Sequence, residues 1–421
     1  MLYELTEKDF DEFSIKHPLT SFQQTSGWAK VKAKNGWGHH FYALKENDNI
    51  VAATLVLYKT FYGLFKMYYA PRGMLIDFEN TELLKEFTDE IVAKVKSEGG
   101  MCFKIDPYVE DQQYDVYGNP VENGYDNRHL IDVLKRLGYE EQLDKNGYPQ
   151  TTMLHTVYVL DVEGKSEEEL LKACESSTKQ RIRSYKKSGV TIRELERDEL
   201  SKFNDLMNLT SKRKDFENRS LSYYEDIYDT FHEDGYVKFI VAEVDVDETI
   251  ARYERLKADS EAQIEKLLIK KQNHPNDFNG EGQIKEMENR ISSSIRKIEE
   301  TKRLKAEYGN PIILSGNMDF FWGDREVVSV YGGNNEELFM FNSAYAVYFE
   351  MIAYAAKNGY KRFNFYGIPN NPQDTNDETY GVYEHKRGYN GRVERYIGEF
   401  DYPVKKMIYR LYKTLLAIRN R

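Results

Sequence analysis

Two parts of this chain run through the same order of elements, and that repetition limits the fold more than any single motif does. In the first part, "GHHFYALK" and "IVAATLVLY" read as strands that meet at the turn Glu46-Asn47-Asp48-Asn49. "KMYYAPRGMLID" is a further strand broken by Pro71 and Gly73, a helix is predicted near 81–97, and "MCFKIDP" closes the set as a strand. In the second part a helix near 196–215 leads into the strand "YVKFIVAEV". "PIILSGNMDFF" and "EVVSVYGG" then meet at Gly323-Asp324, "NSAYAVYFEMIAYAAKNG" reads as a helix, and "YKRFNFYG" as the last strand. The likeness is one of pattern, not of residues, and predicts a mixed α/β fold built from a duplicated unit. The units are expected at 1–160 and at 161–245 with 308–400, after an opening helix "TEKDFDEFSIKH" whose N-cap is Thr6.

The second unit is interrupted at 246–307 by two charged, helix-favouring stretches. Ile284, Met287, Ile291, Ile295 and Ile298 recur at spacings of three, four and seven, and Ile250, Tyr253, Ile264 and Leu267 follow part of that register. Pro275 and two glycines in "NHPNDFNGEG" require the chain to reverse between them. An antiparallel helical hairpin is expected, and helices of about 24 residues would reach roughly 36 Å at 1.5 Å per residue. Its charged face is explained by solvation alone or by a partner.

Hydrophobic residues make up 40% of the 421 and charged residues 31%, enough for a large buried core. No apolar run reaches the length of a membrane span, and the acidic start "MLYELTEKDF" lacks the apolar centre of a signal peptide. Cys102 and Cys174 are far apart and form no CxxC, while the adjacent His39 and His40 would point to opposite faces of a strand. Neither a disulfide framework nor a metal site is expected, and a reducing cytoplasm fits. The net charge of −11 opposes a protein that coats nucleic acid, so any phosphate contact must come from local basic tracks.

Three stretches oppose that acidity. "KQRIRSYKK" places Lys179, Arg181, Arg183, Lys186 and Lys187 near a predicted helix end stopped by Gly189. Cations are favoured there by the helix dipole, so structure and binding explain the cluster equally well. The tail at 401–421 carries six cations after Asp401. Its Met407, Ile408, Leu411, Leu415 and Ile418 are expected to share one helical face, docked on the core or near an anionic membrane. "YGVYEHKRGYNG" at 380–391 sets His385, Lys386 and Arg387 among Tyr380, Tyr383 and Tyr389. Read as a turn, it offers donors to an anion and rings for stacking. There is no GxSxG and no GxxxxGK[ST]. "QTSGWA" at 24–29 matches the acyl-CoA pyrophosphate pattern formally but follows no central strand, and reads as chance.

Taken in order, "GWAKVKAKNGW", "YYAPRGMLID", "FKIDPYV", "NRSLSYYEDIY", "VYGG", "FNFYG", "EHKRGY" and "YIGEFD" resemble the Fem/Mur aminoacyltransferases over nearly the whole chain. The resemblance implies two acetyltransferase-like domains with an inserted coiled-coil arm. It implies transfer of an amino acid from aminoacyl-tRNA to the stem-peptide amine of a peptidoglycan precursor, lipid-linked or UDP-linked. By the same resemblance, Lys32, Arg219 and Tyr223 correspond to a site for precursor phosphates, and Asp106 and Tyr331 to the substrate groove. Lys386 corresponds to the lysine near the aminoacyl ester, with His385 where the family usually has phenylalanine. Arg387 and the cations Lys179, Arg181 and Arg183 would serve the tRNA, and the arm resembles one for which a tRNA contact is suspected.

The implied reaction is aminolysis of an ester, which runs downhill without ATP, metal or cofactor. The protein must align two large substrates and stabilise an oxyanion, a task for Lys386; Asp106 is the one carboxylate nominated as a base. Two rival classes are an acyl-CoA N-acyltransferase and a non-catalytic tRNA-binding module.

Overall fold

A computed structural model of the chain describes residues 1–144, 147, 152–214 and 216–419. Two seven-stranded mixed sheets organise it. The first is built from β1 (Tyr3–Glu4), β2 (Gly38–Glu46), β3 (Asn49–Phe61), β4 (Phe65–Ala70), β5 (Cys102–Ile105) and β6 (Glu140–Glu141). The second holds β7 (Thr156–Asp161), β8 (Val190–Glu194), β9 (Val237–Val244), β10 (Ile312–Trp322), β11 (Glu326–Asn334), β12 (Arg362–Gly367) and β13 (Arg392–Arg395). The chain then returns to the first sheet as β14 (Phe400–Pro403), in the order β1-β2-β3-β4-β5-β14-β6. The strand Thr156–Asp161 already belongs to the second sheet, while Phe400–Pro403 pairs within the first.

The hairpins form where polar turn residues follow alternating strands. Asn47 and Asp48 take positive φ between β2 and β3, a conformation their short side chains tolerate. In each sheet a hairpin strand pairs in parallel with the strand that follows a helix: β4 with β5, and β11 with β12. The crossover helices are α3 (Thr81–Ser97) in the first half and α11 (Ser343–Lys357) in the second. Between β11 and β12 the pairing covers only Glu326–Val328 against Arg362–Asn364, after which the strands part.

Helices fill the layers. In the first half these are α1 (Glu7–Ser14), α2 (Ser26–Lys34), α3 and α4 (His129–Arg136). Thr6 caps α1 through its side chain, as expected. The second half has α5 (Glu167–Ala173), α6 (Ser176–Ser188), α7 (Leu200–Lys214) and α8 (Leu221–Phe231) before the arm. One core spans both halves: Phe10, Trp28 and Phe41 from the first pack with Phe203, Phe239 and Met318 from the second. Phe22 stacks on Phe320 at 3.9 Å, and Trp322 donates its indole N–H to Thr20 at 2.7 Å. Gly27 on α2 meets the Phe231 ring of α8 so closely that a Cβ would sit 2.6 Å from it.

The arm is two paired helices, α9 (Val246–Asn273) and α10 (Glu281–Tyr308), each of 28 residues. Met287 and Ile298 are buried in its seam, but Ile295 is exposed and Ser294 takes the inward position. A helix turns 100° per residue, so the expected apolar stripe drifts off the seam and small polar residues complete it. After α11, "YGVYEHKR" is a helix, α12 (Tyr380–Arg387), and not the expected turn. Its Gly381 lowers local helix propensity, but burial of Tyr383 against the sheet decides the outcome.

The last helix, α13 (Lys406–Arg419), also departs from expectation. It docks through Ile408, Tyr409, Tyr412 and Leu416 on Phe65, Met67 and Met101. Met407, Leu411, Leu415 and Ile418 face outward. The tyrosines, whose rings bury more surface than the aliphatic side chains, won the inner face. Among the described residues, no helix is long and apolar enough to cross a membrane.

Candidate functional site

A cavity of about 450 Å³ opens where the first sheet, α2, the segment before α8 and α13 meet. Lys32 enters it from α2. Thr25 caps that helix by accepting from the Trp28 amide, and Lys32, one turn on, lies over the Trp28 ring at 4.5 Å. Arg219 enters from the opposite half, just before α8, whose cap Ser220 accepts from the Tyr223 amide. The close contact of α2 with α8, and the Lys34–Asp226 ion pair at 2.7 Å, set these two cations beside each other.

Tyr223 and Tyr331 complete that group. The Arg219 guanidinium sits over the Tyr223 ring at 5.5 Å and donates through Nε to the Tyr331 hydroxyl at 3.2 Å. The two rings meet edge to face at 6.4 Å. Burial, and then the nearby Arg219 charge, pull Lys32 down to about 8, so it remains mostly charged at neutral pH yet is partly desolvated. Lys32 and Arg219, one from each half, therefore line one anion-receptive wall, and Tyr223 and Tyr331 hold Arg219 from behind without lining the cavity.

Asp106 stands behind that wall. It is 2% exposed and accepts from the Arg72 amide at 2.7 Å and the Tyr69 hydroxyl at 3.1 Å. Tyr69 and Pro71 line the cavity, whereas Asp106 does not. Burial raises it to about 7 against the opposing pull of Arg72. Its visible work is to brace the Tyr69–Arg72 turn, and Arg72 in turn packs over Tyr108 and Tyr396 and donates to the Leu154 carbonyl.

Lys386 does not line this cavity. It is buried on α12 and donates through Nζ to the Gly367 carbonyl at 2.6 Å, where β12 has parted from β11. Gly367 follows Tyr366, which packs in the same core cluster as Tyr331. The lysine thus reaches the end of the strand that backs the cavity group. Among the described residues no carboxylate pairs with it, and burial pulls it down to about 7.

The expected nucleic-acid residues divide in two. His385 is enclosed by Tyr345 at 4.3 Å, Tyr348 and Tyr389, and burial drives it down to about 3. Its ring is neutral and already packed edge-on or tilted against these three rings inside the protein. Arg387 pairs with Glu175 at 3.1 Å. Lys179, Arg181 and Arg183 line shallow surface hollows along α6, which ends at Gly189 in a left-handed conformation as expected. Arg181 lies over Tyr345 at 5.1 Å, and Tyr345 touches His385, so a track runs from the basic helix to the Lys386 helix.

The far wall of the cavity was not foreseen. Lys104 on β5 lies between Glu399 and Asp401, with Asp401 at 3.0 Å, and Gln142, Thr152 and Lys413 complete that side. Burial opposes the charge on Lys104, but the two carboxylates outweigh it and hold its pKa above the usual lysine value. The signal was present: Lys104 is a charge inside the apolar strand "CFKI", and Glu399 and Asp401 flank Phe400 where β14 begins. The "QTSGWA" match has another use. Asp11 accepts from both the amide and hydroxyl of Ser26, and Gln24 donates to the Pro71 carbonyl at 2.7 Å, so the start of α2 is already capped.

Two cooperating α/β halves around a cationic cavity, with a buried lysine behind it, are the layout of a transferase that aligns two substrates. The FemAB family matches residues 5–416, and the chain belongs to that family. It is 31% identical over 419 residues to the aminoacyltransferase FemA of Staphylococcus epidermidis, covering 99% of each chain. It is 30% identical over 418 residues to FemA of Staphylococcus aureus (strain bovine RF122 / ET3-1), covering 99% of this chain and 98% of that one. The crystal structure of FemX superposes with a TM-score of 0.76 at 27% identity, covering 98% of this chain and 99% of that one.

Proposed function

We propose that the cavity receives the phosphates and stem peptide of a peptidoglycan precursor, while the Lys386 side receives the aminoacyl end of a charged tRNA. The chain is an aminoacyltransferase, and the reading that fits it is formation of an interpeptide bridge. The observation that carries this reading is the meeting of Lys32 and Arg219, from different halves, in one cavity. Guanidinium and ammonium groups side by side suit a diphosphate, and Arg219 offers forked donors that an isolated lysine lacks.

In the step proposed, the stem-peptide amine attacks the ester carbonyl carbon. The new C–N bond forms as the bond to the ribose oxygen breaks, the amine loses a proton and the ribose hydroxyl gains one. Lys386 donates to the developing oxyanion or the terminal ribose. Asp106 acts as a positioning residue through Tyr69 and Arg72. Two acetyltransferase-like halves, divided before Thr156 and rejoined by β14, hold these parts. The arm at 246–307 and the α6 cations Lys179, Arg181 and Arg183 would take the tRNA body, in the cytoplasm where it is charged.

The test is direct. The purified chain is incubated with a mixture of charged tRNAs and a nucleotide-linked or lipid-linked precursor, and the product is weighed by mass spectrometry. Addition of one amino-acid residue to the stem peptide is expected. Binding of tRNA without any mass gain, or acetyl transfer from acetyl-CoA, would overturn the reading.

A further inference from the structure

The outward face of α13 is apolar without a reason inside the fold. Met407 is 87% exposed and Ile418 65%, with Leu411 and Leu415 between them on the same stripe. Docking of the helix is already supplied by its other side, through Tyr409, Tyr412 and Leu416. Beside it the β3–β4 hairpin ends in Tyr62 and Leu64, exposed by 66% and 60%. The two elements are joined by Phe65, whose ring packs at a tilt against Tyr412 at 5.2 Å. Isolated apolar residues on a surface are ordinary, but a stripe continuous with an aromatic tip marks a contact surface.

Charge identifies the occupant. From Tyr402 to the end the chain has six cations and no carboxylate, in a protein of net charge −11. Among the described residues, neither Lys406 nor Arg410 has a carboxylate partner, and both flank the stripe. At 14 residues the helix is about 21 Å long, too short to span a bilayer and suited to lie along its surface. In a two-fold pair of these chains the same cationic rim would meet itself and be repelled, whereas an anionic lipid surface attracts it.

Position supplies the purpose. The cavity is lined by Phe61, Tyr412, Lys413 and Leu416, which belong to these same two elements. We propose that α13 and the β3–β4 tip form a lipid-docking face that seats the mouth of the cavity against an anionic membrane, so that a lipid-linked acceptor enters directly. This rests on the cavity being the acceptor site.

The experiment uses the full chain in co-sedimentation with vesicles of phosphatidylglycerol and phosphatidylcholine, and of phosphatidylcholine alone. Binding to the anionic vesicles, weakened by salt, is expected. The variants Met407→Asp/Leu411→Asp and Tyr62→Ser/Leu64→Ser alter separate exposed positions, and each should weaken binding about tenfold or more. Both should retain transfer to a water-soluble nucleotide-linked acceptor and lose it to a lipid-linked acceptor in vesicles. That soluble assay separates this idea from the acceptor-site reading: binding to vesicles with no transfer to either acceptor leaves docking standing and sinks the cavity assignment. Absence of vesicle binding, equal binding by both variants, or a concentration-dependent dimer that both variants dissolve would overturn docking.

Discussion

The proposed reaction gives different parts to two lysines, and they are built in opposite ways. Lys32 lies in an open cavity, over an indole face, beside a guanidinium, and stays mostly charged at neutral pH. Lys386 is enclosed, donates to the Gly367 carbonyl with no carboxylate partner among the described residues, and is held near the point where it loses its proton. Like charges gathered at the wall of an open cavity are only partly desolvated and can be relieved by an anion. A cation buried without a counter-charge destabilises the fold until a ligand brings the missing negative charge. The difference fits the parts proposed for them: the first environment suits binding of an anion, and the second would gain most when charge develops in a transition state.

The contrast is broken most readily at Lys386. Lys386→Met should lower transfer by about a hundredfold to a thousandfold, the usual cost of removing one oxyanion donor. Precursor binding, measured by calorimetry, should be unchanged. Full turnover in this variant would make the buried lysine a structural relic. Arg219→Ala acts on the other site and should raise KM for the precursor about tenfold to a hundredfold with kcat nearly intact, because a charge-assisted bond is lost from the ground and transition states alike. A matching fall in kcat would erase the distinction between the two sites.

A third expected outcome concerns stability. The unfolded chain keeps Lys386 protonated to about 10.5, whereas the folded chain releases that proton near 7. Between those values the unfolded state binds more protons, so this residue makes stability rise with pH. Lys386→Met lacks that dependence. It should melt about 1–3 °C higher than the parent at pH 7, the gap closing toward pH 10. A lower melting temperature at pH 7 would mean that the Gly367 contact outweighs desolvation.

Much of the frame was legible because its signals are periodic. The two hairpins, the crossover helices and the arm follow from alternation, three-four spacing and turn residues. What failed were places where two patterns compete on one short helix. On α13 an aliphatic stripe and a tyrosine stripe both fit, and only the surface presented by Phe65 and Met67 chooses between them. On α12, glycine and aromatics concealed a helix that packing enforces. The site was legible only through resemblance. Lys32 and Arg219 are 187 positions apart, and nothing in either neighbourhood announces the other. Lys104, Glu399 and Asp401 were missed although all three are charges set among buried strand residues, because a buried charge reads as an anomaly until its partner is seen.

The smallest effect sharpens the comparison further. Tyr331→Phe removes the hydroxyl that accepts from Arg219 Nε but keeps the ring edge against Tyr223 and Tyr224. Arg219 would still be held over the Tyr223 ring, so its position is only loosened. A rise in precursor KM of about twofold to fivefold is expected, in keeping with one exposed hydrogen bond. The double variant with Arg219→Ala should be no worse than Arg219→Ala alone, since the hydroxyl acts through the guanidinium. Fully additive losses would show that Tyr331 meets the precursor itself, and the anion-receptive wall would then extend along β11 toward the splayed end of the strand that Lys386 reaches.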